Sequence, residues 1–279
     1  MSEPSDDLKR TALIYDFDGT LARGNLQECS FIPKMRVSRQ DFWKEVKDRT
    51  NREDADEILV YMHLMLEKAR EAGHAVSKDM LRGHGRDAQL FPGLEGKSWF
   101  SRMNRFARER GLELQHYIIS SGIEEMIRGC PIEDAFYKIF ASKFIYHNDE
   151  AAWPGVGINY TTKTQYLFRI NKGVENHWDN TAINQYMPES SRPVPFRRMI
   201  FLGDGETDIP AMKMLTYQGG HSVAVYDEQR DARDLDKIHK LISENRVDFV
   251  APANYEENSQ LDIIVKGILG RIGLLSTHP

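Results

Sequence analysis

Short apolar segments that run into polar or glycine-rich turns recur along this chain, and they constrain its fold more than any other feature. Their residues are apolar on both faces and are bounded by turn residues, which is the pattern of strands buried inside a parallel sheet. We predict five such strands, at residues 11–15, 115–119, 199–202, 222–226 and 247–250. The chain is therefore expected to form a parallel β-sheet from these segments.

Helical patterns separate the predicted strands. One carries Trp99, Met103 and Phe106 at three- and four-residue spacing, and others lie near 166–170 and 261–272. Strands that alternate with helices predict an α/β fold, here a Rossmann-like parallel sheet in a three-layer α/β/α arrangement. In such sheets a ligand binds outside the carboxyl ends of the strands.

Residues 23–90 break this alternation, because only helical patterns are found there. Ser38 and Ser77 are placed to cap helices, and apolar residues between positions 58 and 69 describe a buried helix face. We therefore predict two domains, an α/β core formed by residues 1–22 and 91–279 and an inserted all-helical domain at residues 23–90.

Composition narrows the classes of partner. The 37 basic and 42 acidic residues give a formal net charge of −5, which argues against duplex nucleic acid because phosphate neutralisation requires a basic surface. No apolar run approaches the roughly 18–20 residues of a membrane span. The polar, acidic start is unlike a signal peptide, and Cys29 and Cys130 form no disulfide framework, so we expect a cytoplasmic protein. The polar segment 174–198 is expected to be a long loop.

The sequence YDFDGTL, residues 15–21, places two carboxylates just past a predicted strand. Asp16 and Asp18 point the same way if the strand geometry continues, and like charges at this range are unfavourable without a cation or a phosphoryl group. Gly19 permits a tight turn, and Thr20 is expected to hydrogen-bond back to that turn. A solvated turn with incidental acids is the alternative, although a chance DxDGT occurs in on the order of one in several hundred such chains.

A second acidic motif, GDGETD, follows the strand predicted at 199–202. Asp204 and Asp208 of this motif would join Asp16 and Asp18 in an all-oxygen cluster without histidine or cysteine. Hard oxygen ligands favour Mg²⁺ over zinc. A calcium loop is the rival, but neither motif has the alternating ligands and the terminal glutamate of an EF-hand loop. The sequence therefore predicts a Mg²⁺ site.

Ser120, Ser121 and Gly122 follow the strand predicted at 115–119. Small hydroxyls and backbone N–H groups at a strand-to-helix turn form a seat for an anion. Simple helix capping is the alternative for a triplet this short. The GxSxG spacing of a hydrolase nucleophile is absent, so a serine nucleophile is not expected.

Taken together, these motifs resemble those of the haloacid dehalogenase (HAD) superfamily. The DFDGTL run, the apolar run ending in Ser120, a later lysine and the GDGETD run carry the resemblance, which extends from about Leu13 to Leu215. The helical insert after DFDGTL is similar to the C1-type cap of that superfamily. The spacing from Ser120 to the lysine region is similar to that of phosphoserine phosphatase-like members. The resemblance implies a HAD-like core with an inserted helical cap.

The resemblance also implies a role for each matching acid. Asp16 would attack phosphorus to form an aspartyl-phosphate, and Asp18 would protonate the leaving oxygen and then activate water. Mg²⁺ would be held by Asp16, Asp204 and the backbone carbonyl of Asp18. Asp208 would orient a water ligand of the metal or the catalytic lysine.

Phosphate binding is implied around the serine turn, where Ser120 would hydrogen-bond the phosphoryl group. The other residues expected to bind the phosphate or substrate are Gly19, Thr20, Ser121 and Gly122. A cation must also balance the phosphoryl charge, and the family places a lysine at the start of the helix before the last catalytic strand. Lys163 matches that position, with Lys143 and Lys172 as alternatives.

The predicted function is Mg²⁺-dependent hydrolysis of a small-molecule phosphomonoester. Dehalogenating members of the superfamily lack the second acid of the first motif, so Asp18 favours phosphate ester chemistry. A phosphotransferase or phosphomutase with the same intermediate and a non-catalytic phospho-ligand binding module are the alternatives. The partner would be a small phosphorylated metabolite, and the protein a monomer or homodimer.

Substrate choice is expected to come from the helical insert. The residues that could face the ligand are Arg23, Asn25, Gln27, Glu28, Arg82, His84 and Arg86. Phosphoserine phosphatases of the family use a glutamate after the first motif to bind an amino group. Glu28 lies slightly later than that pattern, so the resemblance does not extend to specificity for phosphoserine.

Overall fold

Seven β-strands form one sheet whose central strand leads into Asp16. The computed structural model of the protein describes residues 8–205, 207–229 and 239–277. In chain order the strands are β1 (Lys9–Tyr15), β2 (Leu112–Ile123), β3 (Lys138–His147), β4 (Glu150–Val156), β5 (Met199–Gly203), β6 (His221–Tyr226) and β7 (Phe249–Pro252). Their order in the sheet is β4-β3-β2-β1-β5-β6-β7.

Neighbouring strands run parallel except at one edge, where β4 is antiparallel to β3. The predicted parallel α/β fold is thus confirmed. The sequence does not predict β3 and β4, because polar residues interrupt β3 and β4 is a largely exposed edge strand. Neither has the continuous apolar run that marks the other strands.

Helices flank the sheet and fill the segment after β1. In chain order they are α1 (Ile32–Lys34), α2 (Arg39–Glu53), α3 (Glu57–Glu71), α4 (Lys78–Gly85), α5 (Ser98–Arg108), α6 (Glu124–Ile127), α7 (Lys163–Lys172), α8 (Asn180–Asn184), α9 (Ile209–Tyr217) and α10 (Gln260–Thr277). The segment 174–198, predicted as a loop, contains the short helix α8 and two 3₁₀ turns. Within the described ranges, no helix is both long and apolar enough to cross a bilayer.

Different helices cover the two faces of the sheet. Leu13 and Tyr15 of β1 belong to a buried cluster with residues of α5 and α10, whereas Ala12 and Ile14 belong to a second cluster with residues of α7 and α9. The alternation follows from the two-residue period of a strand. It produces the predicted three layers, α/β/α.

The predicted caps of the helical segment are present. The hydroxyl of Ser38 accepts a hydrogen bond of 3.0 Å from the backbone N–H three residues later, and Ser77 does the same over 3.1 Å. Each hydroxyl thus satisfies a donor that the first helical turn leaves without a partner. Apolar side chains of α2 and α3, such as Phe42 and Met62, belong to the same buried cluster as Leu13 of the sheet.

Helix α4 meets α6 and the turn after it at two glycines with no room for a side chain. A Cβ on Gly85 would overlap the backbone carbonyl of Met126, and a Cβ on Gly129 would overlap that of Arg82. Gly83, on the same helix as Gly85, has nothing within 4 Å of a Cβ. The close backbone approach therefore requires glycine at positions 85 and 129.

We predict that Gly85→Ala lowers the free energy of unfolding by about 3 kcal/mol, because the added methyl group must push two backbones apart. Gly83→Ala is the matched control, since it adds the same methyl group to the same helix in open space. That variant is expected to be neutral or to stabilise the protein by up to about 1 kcal/mol. Urea unfolding measures both, and equal midpoints for the two variants would contradict the packing described.

A chain of buried polar side chains lies below the end of β1. The indole N–H of Trp99 donates to the Tyr15 hydroxyl over 2.8 Å, and that hydroxyl lies 2.9 Å from Nδ1 of His116. Nε2 of His116 lies 3.0 Å from Oδ1 of Asn104. Since an amide oxygen only accepts, Nε2 carries the proton and the Tyr15 hydroxyl donates to Nδ1. The imidazole is thus satisfied in its neutral form.

Burial lowers the pKa of His116 to about 3. An unfolded histidine has a pKa of about 6.5, so as the pH falls the unfolded state binds a proton before the folded state does. Below that pH the free energy of unfolding therefore decreases by about 1.4 kcal/mol for each pH unit. We predict that His116→Gln weakens this acid dependence, measured by urea unfolding between about pH 7 and pH 4. Exposed His63 provides the control His63→Gln. The same slope in wild type and the His116 variant would contradict the prediction.

Candidate active site

The three polar motifs meet at the carboxyl ends of adjacent strands. β1 pairs with β2 on one side and with β5 on the other. These strands carry Asp16, Ser120 and Asp204 at or just beyond their carboxyl ends. The backbone N–H of Asp16 donates to the carbonyl of Leu202 over 2.9 Å, which fixes the end of β1 against β5. Residues far apart in sequence are thereby brought to one edge of the sheet.

Three of the four predicted acids form a compact cluster. Asp16, Asp204 and Asp208 each place a carboxylate oxygen within 4.8 Å of the other two. The side chain of Asp18 lies outside this group, and its Oδ1 accepts a hydrogen bond of 3.1 Å from the backbone N–H of Leu26. The two acids of the first motif therefore have different surroundings.

Lys163, the first residue of α7, is fully buried beside this cluster. Its Nζ lies 3.1 Å from Oδ2 of Asp16 and donates to Oδ1 of Asp208 over 2.6 Å. Burial disfavours the charged amine, but the two carboxylates outweigh it and raise the pKa of Lys163 above its ordinary value. The alternative lysines lie elsewhere: Lys143 faces an acid of α6, and Lys172 donates to backbone carbonyls of the segment after α7.

Asp18 faces the cavity next to Asp16. Loss of hydration, followed by the negative charge of Asp16, raises the pKa of Asp18 to about 8, although the hydrogen bond from Leu26 acts in the opposite direction. Asp18 therefore holds a proton at neutral pH and is able to donate it. Asp16, by contrast, has the ammonium of Lys163 as a direct partner.

The backbone leaves the sheet ladder at the serine turn. Ser120 pairs with β3 and pairing resumes at Ile123, so a bulge frees Ser121 and Gly122 from the ladder. The N–H of Gly122 donates to Oγ of Ser120 over 3.0 Å. A Cβ on Gly122 would lie 3.0 Å from Oδ2 of Asp18. The serine hydroxyl and the glycine amide thus adjoin Asp18, where they can hold an anion.

The turn after Asp18 requires Gly19, whose φ is +75° and whose Cβ would lie 2.6 Å from Oδ2 of Asp204. Thr20 is fully buried, and its carbonyl accepts a hydrogen bond of 2.7 Å from the Tyr255 hydroxyl. The prediction that the Thr20 hydroxyl bonds back to the turn is wrong. Its Oγ1 is buried and has no hydrogen-bond partner among the described residues.

A cavity of about 450 Å³ opens between this edge of the sheet and helices α2 and α3. The proposed residues Asp16, Asp18, Ser120, Ser121, Gly122 and Asp204 line it, and of the candidates proposed in the helical segment three do so, namely Asn25, Gln27 and Glu28. Residues of α2, α3 and the loop before α7 also line it and were not predicted: Trp43, Lys47, Glu57, Ile58, Tyr61 and Tyr160. The pairs Trp43 and Lys47 on α2 and Glu57 and Tyr61 on α3 have four-residue spacing, which is equally typical of a packed helix face.

The remaining candidates from the helical segment are not part of the lining. Arg23 forms an ion pair with Asp227. His84 is buried, and its Nδ1 lies 2.7 Å from a serine hydroxyl. Arg82 and Arg86 also lie outside the lining. Gly19 and Thr20 shape the turn below the cavity and do not line it either.

The donor set of the acidic cluster fits Mg²⁺. Asp16, Asp204 and Asp208 offer carboxylate oxygens, which are hard ligands. Oδ2 of Asp208 is buried and has no hydrogen-bond partner in the part of the chain that the structure describes. Since buried polar atoms are normally satisfied, this oxygen suits a cation or a water bound to one.

We predict that Gly19→Ala weakens Mg²⁺ binding about tenfold or more, because its methyl group displaces the carboxylate of Asp204. Gly24→Ala is the matched control: φ is +65° there, and a Cβ would have nothing within 4 Å. Both variants carry similar backbone strain, about 1 kcal/mol, but only one disturbs the cluster. Titration calorimetry with Mg²⁺ compares them, and equal affinities would contradict the placement of Asp204.

The chain is similar in sequence to a known family and to one relative, and similar in fold to solved structures. The family model described as haloacid dehalogenase-like hydrolase matches residues 13–213. An uncharacterised protein of Borreliella burgdorferi is 28% identical over 277 residues, which covers 90% of this chain and 93% of that protein.

Solved structures show the same fold at low sequence identity. A HAD family hydrolase from Salmonella enterica serovar Typhi has a TM-score of 0.59 at 12% identity, covering 94% of this chain and 72% of that one. A probable phosphoserine phosphatase from Vibrio cholerae has a TM-score of 0.57 at 11% identity, covering 98% and 69%. A phosphoserine phosphatase solved as an analogue of its phospho-aspartyl intermediate has a TM-score of 0.54 at 14% identity, covering 93% and 99%. Because the family match spans most of the sequence, this chain belongs to the haloacid dehalogenase-like hydrolases.

Proposed function

We propose that the protein is a Mg²⁺-dependent phosphatase that hydrolyses a small phosphomonoester through an aspartyl-phosphate on Asp16. The observation that carries this proposal is the contrast between two neighbouring carboxyl groups. Asp16 contacts the ammonium of Lys163, whereas Asp18 has a raised pKa and holds a proton. One group is prepared to attack phosphorus and the other to protonate the leaving oxygen. The phosphoserine phosphatases among the fold neighbours act on this class of ester by name.

The reaction divides into two steps at phosphorus. In the first, a carboxylate oxygen of Asp16 bonds to phosphorus, the bond to the ester oxygen breaks, and Asp18 gives its proton to the departing alcohol. In the second, Asp18 takes a proton from water, and that water oxygen bonds to phosphorus. The acyl-phosphate bond then breaks, which releases phosphate and restores both acids.

The groups around Asp16 balance the charge of the phosphoryl group. The ammonium of Lys163, 3.1 Å from Asp16, attracts the phosphoryl oxygens, and Asp208 holds that ammonium in place. The N–H of Gly122 donates to the Ser120 hydroxyl oxygen, and that hydroxyl can rotate to donate its own proton to a phosphoryl oxygen beside it, with which the Gly122 N–H can also be shared. Donors arranged in advance in this way stabilise the charge of the transition state.

The Mg²⁺ ion would be held by Asp16, Asp204 and the backbone carbonyl of Asp18, with Asp208 orienting a water ligand. When bound, it neutralises charge on the phosphoryl oxygens. Supporting this assignment are the short distances within the acidic cluster and the unsatisfied oxygen of Asp208.

We propose further that residues 23–90 are a cap over the core formed by residues 1–22 and 91–279. Helices α2 and α3 wall the cavity, whose volume of about 450 Å³ suits a small metabolite better than a phosphoprotein. Glu28 in that wall accepts hydrogen bonds from Trp43 and Asn25 over 2.6 and 2.8 Å.

The described cysteines are both free thiols, which supports a reducing, cytoplasmic setting.

Hydrolysis of p-nitrophenyl phosphate tests the proposal. We expect turnover with Mg²⁺, none after EDTA treatment, and a loss of about 10³-fold or more in Asp16→Asn, because the nucleophile is removed. Asp48→Asn is the control, since Asp48 is exposed on α2 and outside the cavity lining.

Each other outcome has its own meaning. Activity that survives EDTA or Asp16→Asn would overturn the mechanism. A phosphorylated alcohol in place of free phosphate, formed with glycerol present, would identify a phosphotransferase. No turnover across a panel of small phosphomonoesters, phosphoserine included, would identify a phospho-ligand binding module.

A further inference from the structure

Helix α3 reaches both turns that carry the proposed phosphoryl-binding groups. The hydroxyl of Tyr61, a buried residue of α3, donates to the backbone carbonyl of Ser121 over 2.7 Å. Asp56, the residue before α3, accepts a hydrogen bond of 2.6 Å from Nδ2 of Asn159 in the loop before Lys163. A single helix of the inserted segment therefore contacts two turns, the serine turn (residues 120–122) and the turn before α7 (residues 159–163), called here the lysine turn.

The contact with Ser121 acts on Gly122, because the two share one peptide unit. The carbonyl of Ser121 and the N–H of Gly122 lie in one plane and point in opposite directions in a trans peptide. Pairing with β1 ends at Ile118, and the bulge removes this peptide unit from the ladder with β3. None of the register pairs of the described strands includes Ser121 or Gly122, and the Tyr61 hydroxyl supplies a donor to the carbonyl of this peptide unit. The plane of the unit is thus held at both ends, by the Tyr61 hydroxyl at the carbonyl and by the Ser120 hydroxyl, which accepts from the Gly122 N–H.

Asn159 links the lysine turn to the same helix. Its Oδ1 accepts hydrogen bonds from the backbone N–H groups of Thr161 and Thr162, over 3.1 and 2.9 Å, at the turn from which α7 begins at Lys163. Its Nδ2 donates to Oδ2 of Asp56, whose other oxygen caps α3. One hydrogen bond thus joins the side chain that caps α3 to the side chain that holds the turn before α7.

We propose that Tyr61 is a positioning residue for the Gly122 amide. The Asp56–Asn159 pair holds the lysine turn in a fixed position relative to that amide. Helix α3 then fixes the two turns relative to each other as well as walling the cavity. This inference rests on the proposed function, in which Gly122 and Lys163 bind the phosphoryl group. Since such donors act most strongly on the transition state, loss of Tyr61 should affect kcat more than KM.

Tyr61→Phe tests the first half of the proposal, because it removes only the hydroxyl. We expect kcat to fall about tenfold and KM to stay within about twofold. Tyr117→Phe is the matched control: Tyr117 is also buried, and its hydroxyl donates to the side chain of Gln115 over 2.7 Å, away from the cavity. The control should keep the wild-type kcat. An equal loss in both variants, or a wild-type kcat in Tyr61→Phe, would overturn the role of Tyr61.

Two measurements on Tyr61→Phe need no turnover. The amide ¹H–¹⁵N resonance of Gly122 should shift, and the affinity for inorganic phosphate should fall, with neither change in Tyr117→Phe. If the wild type hydrolyses no phosphomonoester, the proposed function fails while these readouts still decide the positioning of Gly122. An unchanged resonance together with unchanged phosphate affinity would reject the positioning.

A swap of residues tests the second half. Asn159→Asp keeps a side-chain oxygen that can accept from the N–H groups of Thr161 and Thr162. It also places the carboxylates of residues 56 and 159 next to each other, where they repel, and kcat should fall about tenfold. Adding Asp56→Asn restores the hydrogen bond with donor and acceptor exchanged, and Asn is also a good cap. Recovery to within about threefold of wild type is expected. A double variant no better than Asn159→Asp would remove this pair from the proposal.

Discussion

The buried ammonium of Lys163 is the interaction on which this edge of the sheet depends. Carboxylates that gather away from water repel one another, and burying each of them without a partner opposes folding. The site brings together four acids: Asp16, Asp18, Asp204 and Asp208. Lys163 contacts two of them directly, and its charge is maintained because their attraction exceeds the cost of burial. Charge compensation therefore allows four carboxyl groups, which we propose act as nucleophile, proton donor and metal ligands, to share one small space.

Sheet order determines which groups can share that space. β1 lies at the centre with β2 and β5 beside it, so their carboxyl ends deliver three motifs to one place. Two of these motifs make use of a local break in regular structure. Gly19 turns the chain below Asp204, and the bulge at Ser121 and Gly122 releases backbone groups from the ladder. Helices α2 and α3 line the cavity, and α3 adds hydrogen bonds to the turns beneath it.

Much of the core could be predicted from the sequence, because the patterns that indicate its strands, motifs and helix caps lie within a few consecutive residues. Buried parallel strands are continuous apolar runs, and the residues of DFDGTL and GDGETD are adjacent in the chain. The caps at Ser38 and Ser77 are equally local, since a cap bonds only a few residues ahead. β3 and β4 were not predicted, because polar residues interrupt β3 and β4 is a largely exposed edge strand. Neither therefore has a continuous apolar run. The enclosure of Thr20 depends on packing from elsewhere, such as the contact with Tyr255.

By itself, the sequence determined the fold class, the acidic motifs and the kind of ion that they suit, because these follow from residue types at short spacing. The family resemblance already favoured Lys163 over Lys143 and Lys172, but only the tertiary structure decided that its ammonium is buried between Asp16 and Asp208 and that Tyr61 contacts the serine turn. The charge of a lysine and the partner of a tyrosine hydroxyl depend on groups contributed by distant segments. Those interactions form only after folding has brought the segments together. A local sequence pattern therefore cannot specify them.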